Sequence, residues 1–176
     1  TPVDRLKALR RVASVYQGRP AEAHEYVAVL VELARALPGE RSIALALDRA
    51  ARRTGAFGAL EEVLRDRLRP EGRGGPADRI RARVGLATIA WRRGSEADAL
   101  EEILPALDES PPQRGAASIA LLLATRAGRS KERADALAQI SGPAWPALRA
   151  ALLAAAAGLY ARASHPEPAR RAAEQA

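Results

Sequence analysis

Apolar positions along this chain follow a helical rather than a strand pattern. β-Branched residues are sparse and never alternate with polar ones over a strand length, so no hairpin or sheet is predicted. Alanine, the best helix former, supplies about a quarter of the sequence. Glycine and proline punctuate the pattern and predict helices over 3–17, 20–37, 40–54, 56–69, 77–93, 95–108, 114–127, 130–141 and 144–163, with a last one from 167. Pro105 is expected to kink or shorten the sixth helix by removing a backbone donor.

The helices repeat. ALEEVL at 59–64 returns as ALEEIL at 99–104. The small residue that ends one helix precedes an alanine in the next: Gly18 and Ala23, Gly55 and Ala59, Gly94 and Ala99, Gly128 and Ala134, Ser164 and Ala169. Those alanines lie 36, 40, 35 and 35 residues apart. A period in the mid-thirties of helix, tight turn and helix predicts a helical solenoid; a non-repeating helical bundle is the alternative. PEGRGGP at 70–76 accounts for the longest spacing.

The third unit places Leu86 with Ala87, then Gly94, Ala99, Ile103, Ala106 and Pro111, and the fifth places Tyr160, Ser164 and Ala169. In these positions the chain resembles the tetratricopeptide repeat family. Two family positions differ: Arg83 stands where the first-helix tryptophan is expected, and Ala90 where the tyrosine is. The resemblance implies an all-α, right-handed α-solenoid of about five units, at approximately 3–37, 40–69, 77–108, 114–141 and 144–176. These form one repeat domain over 1–176 and, with Thr1 in place of an initiator methionine, are expected to be a piece of a longer chain.

In such an array small residues let helices approach while Leu86, Ile103 and Leu107 fill the space between them, and each pair needs its neighbour to bury its apolar face. Gly55, Gly94 and Gly128 suit left-handed helix ends. Ser95 with Asp98 reads as a capping pair and Pro20 as a first-turn proline. In the repeated hexapeptide the alanine is expected between helices, Leu with Val or Ile in the core, and Glu61, Glu62, Glu101 and Glu102 in water, where adjacent carboxylates diverge around the axis.

Charge changes this picture little. The net charge is +7, almost wholly from arginine, since only Lys7 and Lys131 are lysines; an Arg- and Ala-rich, Lys-poor composition also follows from GC-rich coding. Seven arginines lie between Arg65 and Arg83, yet Phe57 is the one phenylalanine and Trp91 and Trp145 are isolated, so the stacking groups of nucleic-acid binders are missing. Without cysteine there is no disulfide framework or thiolate metal site, and the redox compartment is undetermined. The most apolar stretch, Leu148 to Leu159, contains Arg149 and reads as a buried helix, not a membrane span.

No catalytic constellation emerges. His24 in HEYVA lacks the second histidine of a zinc-protease helix, because Ala28 stands there; it reads as a partly buried helix residue. His165, in SHPEP, reads as a solvent-facing connector. GRGG at 72–75 lacks the lysine of a phosphate loop. The chain is therefore expected to be non-catalytic, with no cofactor, no metal and no small-molecule substrate.

The resemblance implies a protein-interaction scaffold whose first helices line a concave groove for a peptide or partner helix. Two residues before each turn marker stand Tyr16, Arg53, Arg92, Arg126 and Arg162, so stacking would align four guanidiniums, suited to carboxylates of an acidic peptide. Helix-end arginines also favour the dipole without any ligand. Arg49 and Arg52 with Arg81, Thr88 and Trp91 would complete the floor. The rival reading is an anion- or nucleic-acid-binding module using the arginine-rich surface.

Overall fold

The computed structural model describes residues 2–17, 19–69, 75–109 and 113–176. Gly18, most of the PEGRGGP and GRGG stretches, and Pro111 lie outside the described residues. Among the described residues ten α-helices run in order: α1 (Pro2–Tyr16), α2 (Ala23–Ala36), α3 (Arg41–Thr54), α4 (Phe57–Leu68), α5 (Pro76–Arg92), α6 (Glu96–Ile103), α7 (Arg114–Arg126), α8 (Ser130–Ser141), α9 (Pro146–Arg162) and α10 (Pro166–Gln175). Short 3-10 turns cover Pro20–Glu22 and Leu104–Leu107. Among the described residues there is no strand, and no described helix is long and apolar enough to cross a membrane. The expected boundaries are met to within about two residues once the 3-10 turns are counted with their helices; by themselves α2 begins three residues after the expected 20, and α6 ends five before the expected 108.

The chain divides into two compact bodies, residues 1–82 and 83–176, with the boundary inside α5. In the N-terminal body α2 packs on α1, α3 and α4. Its apolar stripe Tyr26, Val27, Leu30, Leu33 and Ala34 meets Ile43, Leu47, Ala50 and Ala51 of α3 and Leu60, Val63 and Leu64 of α4. In the C-terminal body α6 through α9 each pack on the next helix. Alanine dominates there: Ala116, Ala117, Ala120 and Ala124 are buried in α7, and Ala134, Ala156 and Ala172 join Leu159 and Tyr160 in one cluster. Short side chains lower the apolar area per residue but let backbones approach, so leucines such as Leu100 and Leu123 can close the gaps.

The third pair packs as its pattern predicts. Leu86, Ala87, Ala99, Ile103, Ala106 and Leu107 are all buried. After Ile103 the chain tightens into the 3-10 turn that holds Pro105, as expected where proline removes a helical donor.

The repeated hexapeptide behaves differently in its two copies. Leu60 and Leu100, Val63 and Ile103 are buried in both. Ala99 is fully buried, whereas Ala59 is only half-buried. Glu62 and Glu101 are exposed; Glu61 and Glu102 are half-buried rather than in water. Gly55 precedes its alanine by one residue fewer than Gly94 does, and the two apolar positions nevertheless stay buried in both copies while the alanine and the glutamates differ. The exposed glutamates also have cross-helix partners: Glu62 accepts from Arg35 of α2, and Glu101 lies 3.3 Å from Arg129, just before α8.

Ser95 departs from its expected role. Its hydroxyl donates to the Asp98 carboxylate at 2.6 Å, and no side chain caps the α6 backbone.

Candidate functional site

The candidate surface is built from helix ends, so the turns come first. Gly94, Gly128 and Ser164 all lie in the left-handed region, at φ +84°, +68° and +60°. Each ends its helix with the same two bonds. Ser95 N–H donates to Ala90 O at 3.1 Å and Gly94 N–H to Trp91 O at 2.9 Å. Arg129 and Gly128 repeat the pair on Ala124 and Thr125, and His165 and Ser164 repeat it on Tyr160 and Ala161. This is the Schellman motif, in which a left-handed residue lets two amides reach the last carbonyls. Gly55, at φ +74°, closes differently: Ala56 N–H donates to the Thr54 hydroxyl at 3.3 Å.

Arg92, Arg126 and Arg162 therefore occupy one position of three successive first helices, two residues before the left-handed turn. All three are exposed. Arg126 is engaged by Glu96 at 2.6 Å. Among the described residues no carboxylate lies within ion-pair distance of Arg92 or Arg162. Trp91 is 44% exposed beside Arg92, and the half-buried Thr88 donates its hydroxyl to Val84 O at 2.7 Å.

The other expected residues belong to the N-terminal body. Arg49, Arg52 and Arg53 are exposed on α3, and Arg52 pairs with Asp48 at 2.8 Å one turn away. Arg81 pairs with Asp78 within α5. Arg53 and Arg81 thus lie in a different body from Arg92, Arg126 and Arg162.

The arginine-rich run is largely engaged as well. Arg65 pairs with Glu61 and Arg69 with Asp66. Arg67 is half-buried; desolvation depresses its pKa, the nearby Asp78 works against that, and Arg81 adds to it. Arg67 and Arg83 each bury an Nε–H without an acceptor. Arg73 lies outside the described residues.

Both histidines differ from expectation. His24 is exposed on α2, and His165 is a half-buried residue at the start of α10, held by the turn bonds. Their environments follow from position: His24 falls opposite the Tyr26, Val27 and Leu30 stripe, and His165 sits in a Schellman turn. Among the described residues no group of three or more His, Asp or Glu is placed to hold a metal ion.

Two features were not anticipated. Charge is sorted by helix in the C-terminal body: residues 83–92, α7 and α9 contain no Asp or Glu, while α6 contains four acids and no base. Once helices are assigned, this sorting can be read from the letters. Trp145, at the start of α9, is 74% exposed, with Leu122 and Leu148 also exposed at 48% and 43%. A leucine-rich pattern alone does not say which leucine stays uncovered.

A cleft of about 590 Å³ lies among Leu104, Leu107, Asp135, Gln139 and Tyr160. Its polar groups are engaged internally: Tyr160 and Lys131 both donate to Asp135, and Gln139 donates to Leu107 O.

Recurrent helix–turn–helix pairs with a shared turn geometry decide the architecture. The chain is an all-α helical repeat. No family model matches it, and no curated protein does. Among solved structures, a chain described as MamA MSR-1 C2 aligns with 97% of this chain and 94% of its own length, at 18% identity and a TM-score of 0.46. So loose a superposition adds nothing to the architecture, which rests on the pairs themselves.

Proposed function

We propose that this chain is a non-catalytic protein-interaction scaffold, and that the first helices receive an acidic peptide or partner segment. The observation that carries the reading is the sorting of charge. The first helices of the C-terminal body carry arginines and no acid of their own, so a carboxylate approaching Arg92 or Arg162 meets attraction, while at Arg126 it competes with Glu96 of α6. Arg92 and Arg162 are the foremost contacts, Arg126 would exchange Glu96 for the partner, and Thr88 and Trp91 flank them. In the N-terminal body Arg49, Arg52, Arg53 and Arg81 are the corresponding contacts. Two-point guanidinium–carboxylate bonds suit this chemistry.

The test is capture of partners from the native source with the wild type and with Arg53, Arg92 and Arg126 all changed to glutamate. Loss of partners by a still-folded variant supports the reading; a variant that keeps every partner sinks it.

The rival, an anion- or nucleic-acid-binding module, is favoured by the net charge of +7 and the seven arginines between Arg65 and Arg83. The shortage of aromatic stacking groups, with Phe57 the one phenylalanine, speaks against it. Fluorescence anisotropy on random DNA and RNA separates the two, since phosphate-driven binding falls by orders of magnitude from low to moderate salt.

A further inference from the structure

The start of α9 projects from its body. Trp145, Pro146, Ala147, Leu148 and Arg149 are exposed one after another. Five successive residues pass right round a helix of 3.6 per turn, so no side of this turn is buried. Full burial begins only at Leu153. The chain entering the projection is constrained. Pro143 and Pro146 fix two backbone angles, and the Arg114 guanidinium of α7 donates to Pro143 O.

Its tip is apolar and its collar cationic. Trp145 is 74% exposed and Leu148 43%. Leu148 and Arg149 stand three and four residues beyond Trp145, the spacing that gathers side chains on one side of a helix. Among the described residues neither Arg149 nor Arg114 has a carboxylate within ion-pair distance, and Arg114 is held by a neutral carbonyl that leaves its charge uncompensated. Residues 136–166 contain no Asp or Glu. Asp108, Glu132 and Asp135 line the cleft beside Gly142, where Lys131 and Arg129 largely offset them.

A projection cannot act as a pocket; it has to enter something. A second copy does not fit, because pairing two such tips sets Arg114 and Arg149 against their own counterparts, with no acid on α7 or α9 to relieve them. A protein socket would find few directional contacts: besides Arg149, the five exposed residues carry one side-chain donor, the indole N–H. A lipid interface asks for no fixed geometry and suits both halves of the tip. Indole rings settle at headgroup depth with the ring in apolar surroundings and the N–H wet. Guanidiniums are drawn to anionic headgroups, and Trp and Leu beside Arg is the composition of interfacial segments.

We propose that this projection docks the chain on an anionic phospholipid surface, with Trp145 and Leu148 entering the interface and Arg114 and Arg149 at the headgroup phosphates. The inference goes beyond the scaffold reading and does not use its contacts. Arg162 lies 13 residues along α9 from Arg149, about 20 Å at the helical rise per residue, so one chain can hold a partner and a membrane surface at once.

The experiment is flotation of the whole chain at low salt with phosphatidylcholine vesicles, with and without phosphatidylglycerol, read together with tryptophan emission. The wild type should float with the anionic vesicles, not with the neutral ones, and its emission should shift to the blue. Trp145→Ala should abolish that shift although Trp91 remains, and should weaken binding at least about tenfold. Arg149→Ala should weaken it about fivefold. Both positions are exposed, so circular dichroism should show the helices unchanged. No flotation with anionic vesicles, or undiminished flotation of Trp145→Ala, overturns the inference. Binding that survives in Trp145→Ala but is lost when Arg53, Arg92 and Arg126 are changed to glutamate places the lipid on the first helices and also overturns it. If vesicles do not bind while Trp145→Ala loses native partners, the tip is a protein contact and the lipid proposal falls. In each of these cases partner capture by the glutamate triple variant still judges the scaffold separately.

Discussion

Tyr160 Oη donates to Asp135 Oδ1 at 2.7 Å, tying the first helix of the last pair to the second helix of the pair before. Asp135 also accepts from Lys131 at 2.8 Å. Burial, reinforced by the bond to Asp135, raises the phenol well above its ordinary pKa, so the hydroxyl stays a donor. Tyr160→Phe should therefore cost about 1 kcal/mol in urea unfolding. Asp135→Ala should cost more, because it strands the buried hydroxyl and frees Lys131 together. The opposite order would show that the bond does not link the two helices.

Packing at the third pair makes a sharper contrast. Ala99 is fully buried, so Ala99→Leu should overpack the contact and cost about 1–3 kcal/mol. Glu101→Ala breaks only an exposed ion pair with Arg129 and should stay within about 0.5 kcal/mol. Equal melting temperatures for the two variants would contradict this placement.

Ser164 holds a left-handed conformation that glycine holds at the two preceding turns. That conformation is strained for a residue with a Cβ. Ser164→Gly should raise stability by about 0.5–1 kcal/mol, and Gly94→Ala should lower it by about 1 kcal/mol. Thermal unfolding of both variants checks the signs, and a destabilised Ser164→Gly would mean that its hydroxyl matters more than its backbone.

Acid sensitivity should centre partly on Glu132. Burial alone would raise its carboxyl; hydrogen bonds from Arg129 and the backbone, with the charges of Arg129 and Lys131, outweigh that and depress it. With the folded value below the unfolded one, Glu132 adds stability above the ordinary carboxylate range and loses it as pH falls through the folded value. Glu132→Gln should be less stable than wild type at about pH 7, and the gap should narrow toward about pH 3. Urea midpoints that stay equally far apart at both pH values would exclude this linkage.

Helices and turns were legible because alanine runs, proline and glycine act locally. Even Ser164 could be placed by spacing as the stand-in for a glycine. Side-chain partners were not legible in this way. Ala59 is only half-buried although the same letter at Ala99 is fully buried, and Ser95 chose the Asp98 carboxylate over the backbone amides. Arg126 was readable as an exposed helix-end arginine, but its bond to Glu96 joins residues 30 apart, which no local pattern fixes. The acid-free first helices were written in the sequence all along; helix boundaries had to be drawn before that absence had a face to belong to.

With the 3-10 turns counted as part of the helices they adjoin, the helices of a pair are separated by three residues four times and by two once; between pairs, the gaps are four, seven, six and four. A Schellman turn admits no extra residue without losing one of its two bonds, so length variation has been absorbed between hairpins. Insertion tags, new joints for circular permutation and exchange of whole hairpins with related arrays therefore belong at 37–40, 69–75, 108–113 and 142–145. The same cuts at 93–95, 127–129 or 163–165 would sever the piece that has to move as a whole.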